Sequence, residues 1–243
     1  MKKFLVFATV FAALPLAAQK ADKKPMTQQQ GAEILQELRQ IRQLLEKQAK
    51  PASAPQEEAP TKAKIADLSG VPMLGSKSAP ITIVEYTDYQ CPYCQHFHLT
   101  AFAEIKKAYI DTGKVRFFSK DLPLDFHPNA MRGAMAARCA GEQGKFWELR
   151  DTMGANPNSL DIEHIVSFAA NLKMDTVALR ACIDGGKYKE RVQGDVLDAM
   201  RIGANGTPTF IVGKSAGNGV DGELVVGAMP FQMFDLKLKE LEK

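Results

Sequence analysis

The sequence predicts an α/β fold in which a strand–helix–strand unit is separated from two later strands by a long helical stretch. Three observations carry this. The β-branched run at residues 81–86 gives way to Pro92 and a helical pattern. A second β-type run, residues 115–119, follows Gly113. Residues 122–203 then hold helical patterns before residues 209–212 and 223–226 return to strand character.

The chain opens with Lys2 and Lys3, an apolar run over residues 4–16, and small residues at Ala17 and Ala18. That order is the mark of a secretory signal peptide, expected to span residues 1–18. The apolar run falls short of the roughly 20 residues that span a bilayer. Export, to the periplasm or beyond, places the mature chain where disulfides persist.

Residues 19–49 are expected to form a helical stalk. Ile34, Leu38, Ile41 and Leu45 alternate at spacings of four and three, the seam of a short coiled coil. An isolated helix of this length is marginal in water. Two outcomes therefore stand open: association with further copies of the chain, or a helix that folds back or frays. Residues 50–64, with Pro51, Pro55 and Pro60, read as an extended linker. The globular domain is expected over residues 65–243.

Within it, residues 81–86 suit a buried strand. Pro92 suits the first turn of a helix continued by Phe97, Phe102, Ile105 and Tyr109. Strand, helix and strand in that order imply a parallel pair. Asn218-Gly219 is expected at the turn between the last two strands, and residues 231–241 close the chain as an amphipathic helix.

The 31 basic and 28 acidic residues leave a formal net charge of +3, without the excess a nucleic-acid partner would call for. The four cysteines are more informative. Cys91-Pro92-Tyr93-Cys94 sits just after a strand and opens a helix. A helix N-terminus offers unpaired amide donors and a positive dipole end, which favour a thiolate over a thiol. The thiolate is the species that exchanges disulfides. Stabilising it makes the matching disulfide a stronger oxidant. A structural zinc site would need four ligands, and no second Cys-x-x-Cys is present; a purely structural disulfide is the other alternative. His96 and His98 read as polar residues of the first helix. The two sulfurs carry the electrons themselves, so the motif calls for no cofactor.

Residues 81–98, ITIVEYTDYQCPYCQHFH, resemble the active-site segment of the DsbA-like proteins, a thioredoxin-fold family with an inserted all-helical domain. Gly206-Thr207-Pro208-Thr209-Phe210 resembles that family's second landmark, a residue before a cis-proline that faces the cysteines. Lys145-Phe146-Trp147-Glu148 resembles its helical-domain signature. The resemblance implies a thioredoxin fold with a helical insertion over about residues 122–203. It implies Cys91 as an exposed nucleophile, Cys94 as the buried resolving thiol, and Thr207 and Pro208 as the edge that meets substrate. Glu85, six residues before Cys91, matches a buried acid that shuttles protons to the resolving thiol, and burial alone would raise its pKa. The Pro-Tyr dipeptide departs from the Pro-His of strongly oxidising members, which leaves oxidase, isomerase and reductase directions open.

Cys139 and Cys182 fall within the helical stretch. In an oxidising compartment they are expected to pair as a structural disulfide, the alternative being two buried free thiols. The expected activity is protein thiol–disulfide exchange on unfolded or partly folded exported proteins, with a redox partner that resets the site. The competing class is a chaperone or assembly factor of the same fold that binds polypeptides without redox turnover.

Overall fold

The structure, a computed structural model, describes residues 27–48 and 61–243. The expected signal peptide and most of the expected linker lie outside the described residues. The chain divides into two units, residues 1–56 and 57–243.

The first unit contains helix α1, Gln28–Gln48. Its start is a reciprocal cap: Thr27 Oγ1 accepts from the Gln30 backbone N–H at 3.2 Å, and Gln30 Oε1 accepts from the Thr27 N–H at 3.1 Å. Ile34, Leu35, Leu38, Ile41 and Leu44 are 48% to 58% exposed along it. Among the described residues no helix is long and apolar enough to cross a membrane.

The second unit begins with the short strands β1 (Lys62–Ile65) and β2 (Met73–Leu74), then β3 (Ile81–Thr87). Helix α2 (Pro92–Leu99) breaks at Thr100 into α3 (Ala101–Ile105), which runs on through a π-helical turn, Lys106–Ile110. Strand β4 (Val115–Asp121) follows. The helical insertion comprises α4 (Ala130–Gly141), α5 (Phe146–Ala155), α6 (Ile162–Asn171), α7 (Thr176–Asp184) and α8 (Lys189–Arg201). Strands β5 (Thr209–Ala216) and β6 (Gly219–Val226) and helix α9 (Phe231–Leu241) complete the chain.

The strands form one sheet in the order β1-β6-β5-β3-β4-β2. β3 and β4 run parallel, while β5 lies antiparallel to β3 with Tyr86 opposite Thr209. That register carries the Thr207–Pro208 segment to the end of β3, where the cysteine motif starts.

Every residue of β3 is buried, because both sheet faces are covered. Ile81 and Ile83 point into a cluster with Phe97, Phe102, Phe117, Phe210 and Phe234. Val84 and Tyr86 point the other way, toward Ile211, Ala199 and Val220. Phe97, Phe210 and Phe234 meet with ring centroids 4.5, 5.1 and 5.5 Å apart. Burying each such ring stabilises the fold by about 1.5–3 kcal/mol, so α2 and α9 are clamped to the sheet that carries the site. A third cluster, built on Leu149, Met153, Leu160 and Ile165, forms the core of the insertion. There Cys139 of α4 is bonded to Cys182 of α7.

Two boundaries differ from the sequence reading. β1 starts at Lys62, inside the span expected to be linker. Ala63 is buried and pairs with Gly222, while Lys62 and Lys64 face outward as on a protected edge strand. The last hairpin turns at Gly217-Asn218, since Ala216 pairs with Gly219. Gly217 takes φ +56° there, and Gly219 is needed inside the ladder because a Cβ on it would lie 1.9 Å from the Ile65 carbonyl oxygen.

Candidate active site

Cys91 is the N-cap of α2, with Pro92 in the first turn, where its missing N–H breaks no helical hydrogen bond. Cys91 and Cys94 are free thiols. Cys91 Sγ donates to the Thr207 carbonyl oxygen at 3.4 Å, and the Thr207–Pro208 peptide bond is cis.

The two sulfurs are strongly inequivalent. The Cys91 thiol is lowered to about 5, chiefly by a hydrogen bond from the Cys94 thiol. Burial opposes this, while the Thr207 hydroxyl and the backbone N–H groups of Cys94 and Tyr93 add to it. Thr207 Oγ1 is buried and makes no hydrogen bond in this geometry among the described residues. Cys94 is pushed well above its ordinary value by burial, by donating to Cys91 and by the negative charge of Glu85.

Cys91 is 3% exposed and Cys94 2%. The expectation of an exposed Cys91 is therefore corrected: the Thr207–Pro208 segment lies against its sulfur, an approach made by residues remote in sequence.

Glu85 of β3 is 0% exposed. Its carboxylate pairs with Arg150 Nη2 at 2.5 Å and with His98 Nε2 at 2.7 Å. Burial raises its pKa, but the charges and hydrogen bonds of His98 and Arg150 outweigh burial and hold it below the usual carboxylate range. This reverses the elevation that burial alone led us to expect. His98 is itself held down by burial and by Arg150, against the pull of Glu85.

The thioredoxin family profile matches residues 68–220, more than half of the chain. The chain belongs to the thioredoxin family. Alpha-DsbA1 of Wolbachia pipientis superposes with a TM-score of 0.66 at 24% identity, covering 73% of this chain and 93% of that one. BdbD of Bacillus subtilis gives 0.65 at 22% identity, covering 76% and 99%. Both show a DsbA-like thioredoxin fold. The Na(+)/H(+) antiporter NhaA 3 of Salinispora tropica is 36% identical over 139 residues, which are 57% of this chain and 21% of the antiporter. The chain thus spans about a fifth of the length of the curated relatives it matches.

In this thioredoxin-family chain the insertion reaches the site through α5. Arg150 is 2% exposed. Its guanidinium lies over the rings of Trp147 at 5.2 Å and Phe102 at 5.7 Å. It also reaches both ring nitrogens of His98, at 3.2 Å and 2.6 Å. A cavity of about 290 Å³ opens between α2, α3 and α5, with Cys94, His98, Leu99, Phe102 and Arg150 among its walls.

The sequence reading assigned Arg150 no role and took His98 only as a polar residue of the first helix. A signal for Arg150 was present. It falls four residues after Phe146 and one after Leu149, on the apolar stripe of α5, where a charge needs a buried partner. Asp88 was also missed. Its carboxylate accepts from the Gln90 and Leu124 N–H groups and from His127 Nδ1, joining the turn before Cys91 to the loop after β4. Among the described residues no group of three or more His, Cys, Asp or Glu side chains could hold a metal ion.

Proposed function

We propose that this protein is an exported thiol–disulfide oxidoreductase that forms or rearranges disulfides in polypeptide substrates through Cys91 and Cys94. The observation that carries the reading is geometric: two free thiols one turn apart at a helix N-terminus, with the Cys91 sulfur against the carbonyl of the cis Thr207–Pro208 bond, an arrangement that lowers one thiol and raises the other.

Cys91 is a thiolate at neutral pH: it attacks a substrate disulfide, forming a mixed disulfide and expelling the other substrate sulfur, or it is the leaving group when a substrate thiolate resolves a mixed disulfide. Cys94 stays protonated until it resolves that intermediate, with Glu85 as the acceptor of its proton. Its ionised form suits that role, because a carboxylate can take up a proton only while ionised. An extended peptide can reach the site by pairing with the Thr207 backbone, a mode that tolerates many sequences.

A depressed Cys91 thiol stabilises the reduced pair, which favours an oxidising disulfide. The signal-like N-terminus and the Cys139–Cys182 bond support an oxidising compartment. The exposed apolar residues of α1 support association of several copies. A redox partner that resets the pair completes the cycle.

Oxidation of a reduced dithiol peptide by the full-length protein tests the reading. The Cys91→Ser variant is expected to lose this activity entirely. Undiminished activity in that variant would overturn the proposal and favour polypeptide binding without redox turnover.

A further inference from the structure

We propose that Arg150, supplied by the helical insertion, is a positioning residue for thiol exchange: it fixes the buried Glu85 carboxylate while sharing a cavity wall with Cys94, and makes the resolving step depend on how α5 is seated. The inference rests on the thiol-exchange reading above and deepens it.

The geometry is specific. One guanidinium touches three elements besides its own helix: Glu85 on β3 at 2.5 Å, His98 on α2 and, more distantly, Ser119 Oγ on β4 at 3.4 Å. Trp147 and Phe102 fix its plane. Arg150 and His98 share a cavity wall with Cys94 itself. The ionisable groups around Glu85 are His98 and Cys94 from α2, Arg150 and Asp151 from α5, Tyr89 from the turn after β3, and Asp121 at the end of β4. Arg150 is the permanent cation among them. Asp121 has its own cation in Arg138.

Its chemical consequence follows from the resolving step. Cys94 attacks the disulfide joining Cys91 to a substrate sulfur. The Cys94 S–H bond breaks and its proton passes to the Glu85 carboxylate. The Cys91–Cys94 bond forms, the Cys91–substrate bond breaks, and the electron pair leaves on the substrate sulfur. The substrate is reduced and the cysteine pair oxidised. A Glu85 that already holds a proton cannot take this one. Without Arg150 the one partner left to Glu85 is His98, which burial holds toward its neutral form, so the acid form of Glu85 is favoured.

The test is single-turnover reduction of a peptide disulfide by the reduced full-length protein, followed between about pH 5.5 and pH 9. Arg150→Met is expected to slow the resolving step at least about tenfold near neutral pH. It should also add an inflection that is absent from the wild type and from the Glu85→Gln/Arg150→Met double variant. Arg150→Lys, which keeps the charge, should lack that inflection. A profile for Arg150→Met that superposes on the wild type overturns the proposal, and so does the same new inflection in the double variant. A second measurement does not depend on any Arg150 variant folding. Carbon-13 carboxylate spectra of the wild type, assigned with Glu85→Gln, should show Glu85 ionised throughout the neutral range. A Glu85 that titrates there overturns the proposal. Wild-type protein with no exchange at all would instead sink the broader reading.

Discussion

The Cys91 thiol donates to the Thr207 carbonyl oxygen across 3.4 Å, although 116 positions separate the two residues in the chain. The same residue holds a buried hydroxyl that makes no hydrogen bond in this geometry, and its nearness contributes to lowering the Cys91 thiol. Thr207 thus offers the sulfur two groups: a carbonyl that accepts from the thiol, and a hydroxyl free to turn and donate to the thiolate.

Replacing Thr207 with Val keeps the shape and removes the hydroxyl. A hydrogen bond to a charged group contributes about 1.5–3 kcal/mol, and about 1.4 kcal/mol corresponds to one pKa unit. The Cys91 thiol is expected to rise by about one to two units, and the cysteine pair should become less oxidising. Alkylation rates across a pH series measure the first effect, and equilibration with a glutathione buffer measures the second. An unchanged Cys91 titration would remove the hydroxyl from the account.

Cys91 also makes the stability of the reduced protein depend on pH. Its folded pKa, about 5, lies below that of an unfolded cysteine, about 8.5. The depressed group contributes stability that is complete above the unfolded value and is lost as pH falls through the folded one. Cys94 is shifted upward, so its penalty appears only at pH values above the ordinary thiol range. Between about pH 5 and pH 8 the reduced protein should gain stability relative to the oxidised protein. Paired thermal or urea unfolding curves of the two forms would show it, and a difference that shrinks as pH rises contradicts the assignment.

The parts of the site legible in the sequence were those its chemistry places close together. Cys91 and Cys94 must lie one helical turn apart, so their spacing shows directly. Thr207 and Pro208 were found through a motif. Glu85 was placed correctly on the buried strand, but its ionisation was misjudged, because it is set by partners the strand does not reveal: His98 on α2 and Arg150, 65 positions away on α5. The burial of Cys91 was hidden for a similar reason: its cover comes from the Thr207–Pro208 segment. In the fold, β3 and β4 showed as continuous β-type runs and α9 as an amphipathic pattern. β1 and β2, of four and two residues, are too short for alternation to register and exist through pairing with β6 and β4.

The Cys139–Cys182 bond ties α4 to α7 across 43 positions. Closing a loop of that length restricts the unfolded chain and stabilises the fold by about 2–4 kcal/mol. The double variant Cys139→Ala/Cys182→Ala should lose that amount in urea unfolding while keeping thiol exchange at Cys91. An equal loss of exchange would mean that the bond also shapes the active site.

Deleting the N-terminal region separates the exchange chemistry from assembly. The cut must stop at residue 60, because the Thr61 carbonyl accepts from the Leu224 N–H at 3.0 Å and β1 starts at Lys62. Residues 61–243 include Cys91, Cys94, Thr207 and the whole sheet, so removal of residues 19–60 should leave peptide oxidation unchanged. If α1 associates through Ile34, Leu38 and Ile41, the full-length protein should exceed the monomer mass in light scattering, and the deletion should restore that mass. The shortened protein should then rearrange a scrambled multi-disulfide substrate more slowly, because multiple linked sites raise the effective concentration of one active site at a substrate held by another. A monomeric full-length protein would defeat the assembly proposal, and the exchange chemistry at Cys91 would stand without it.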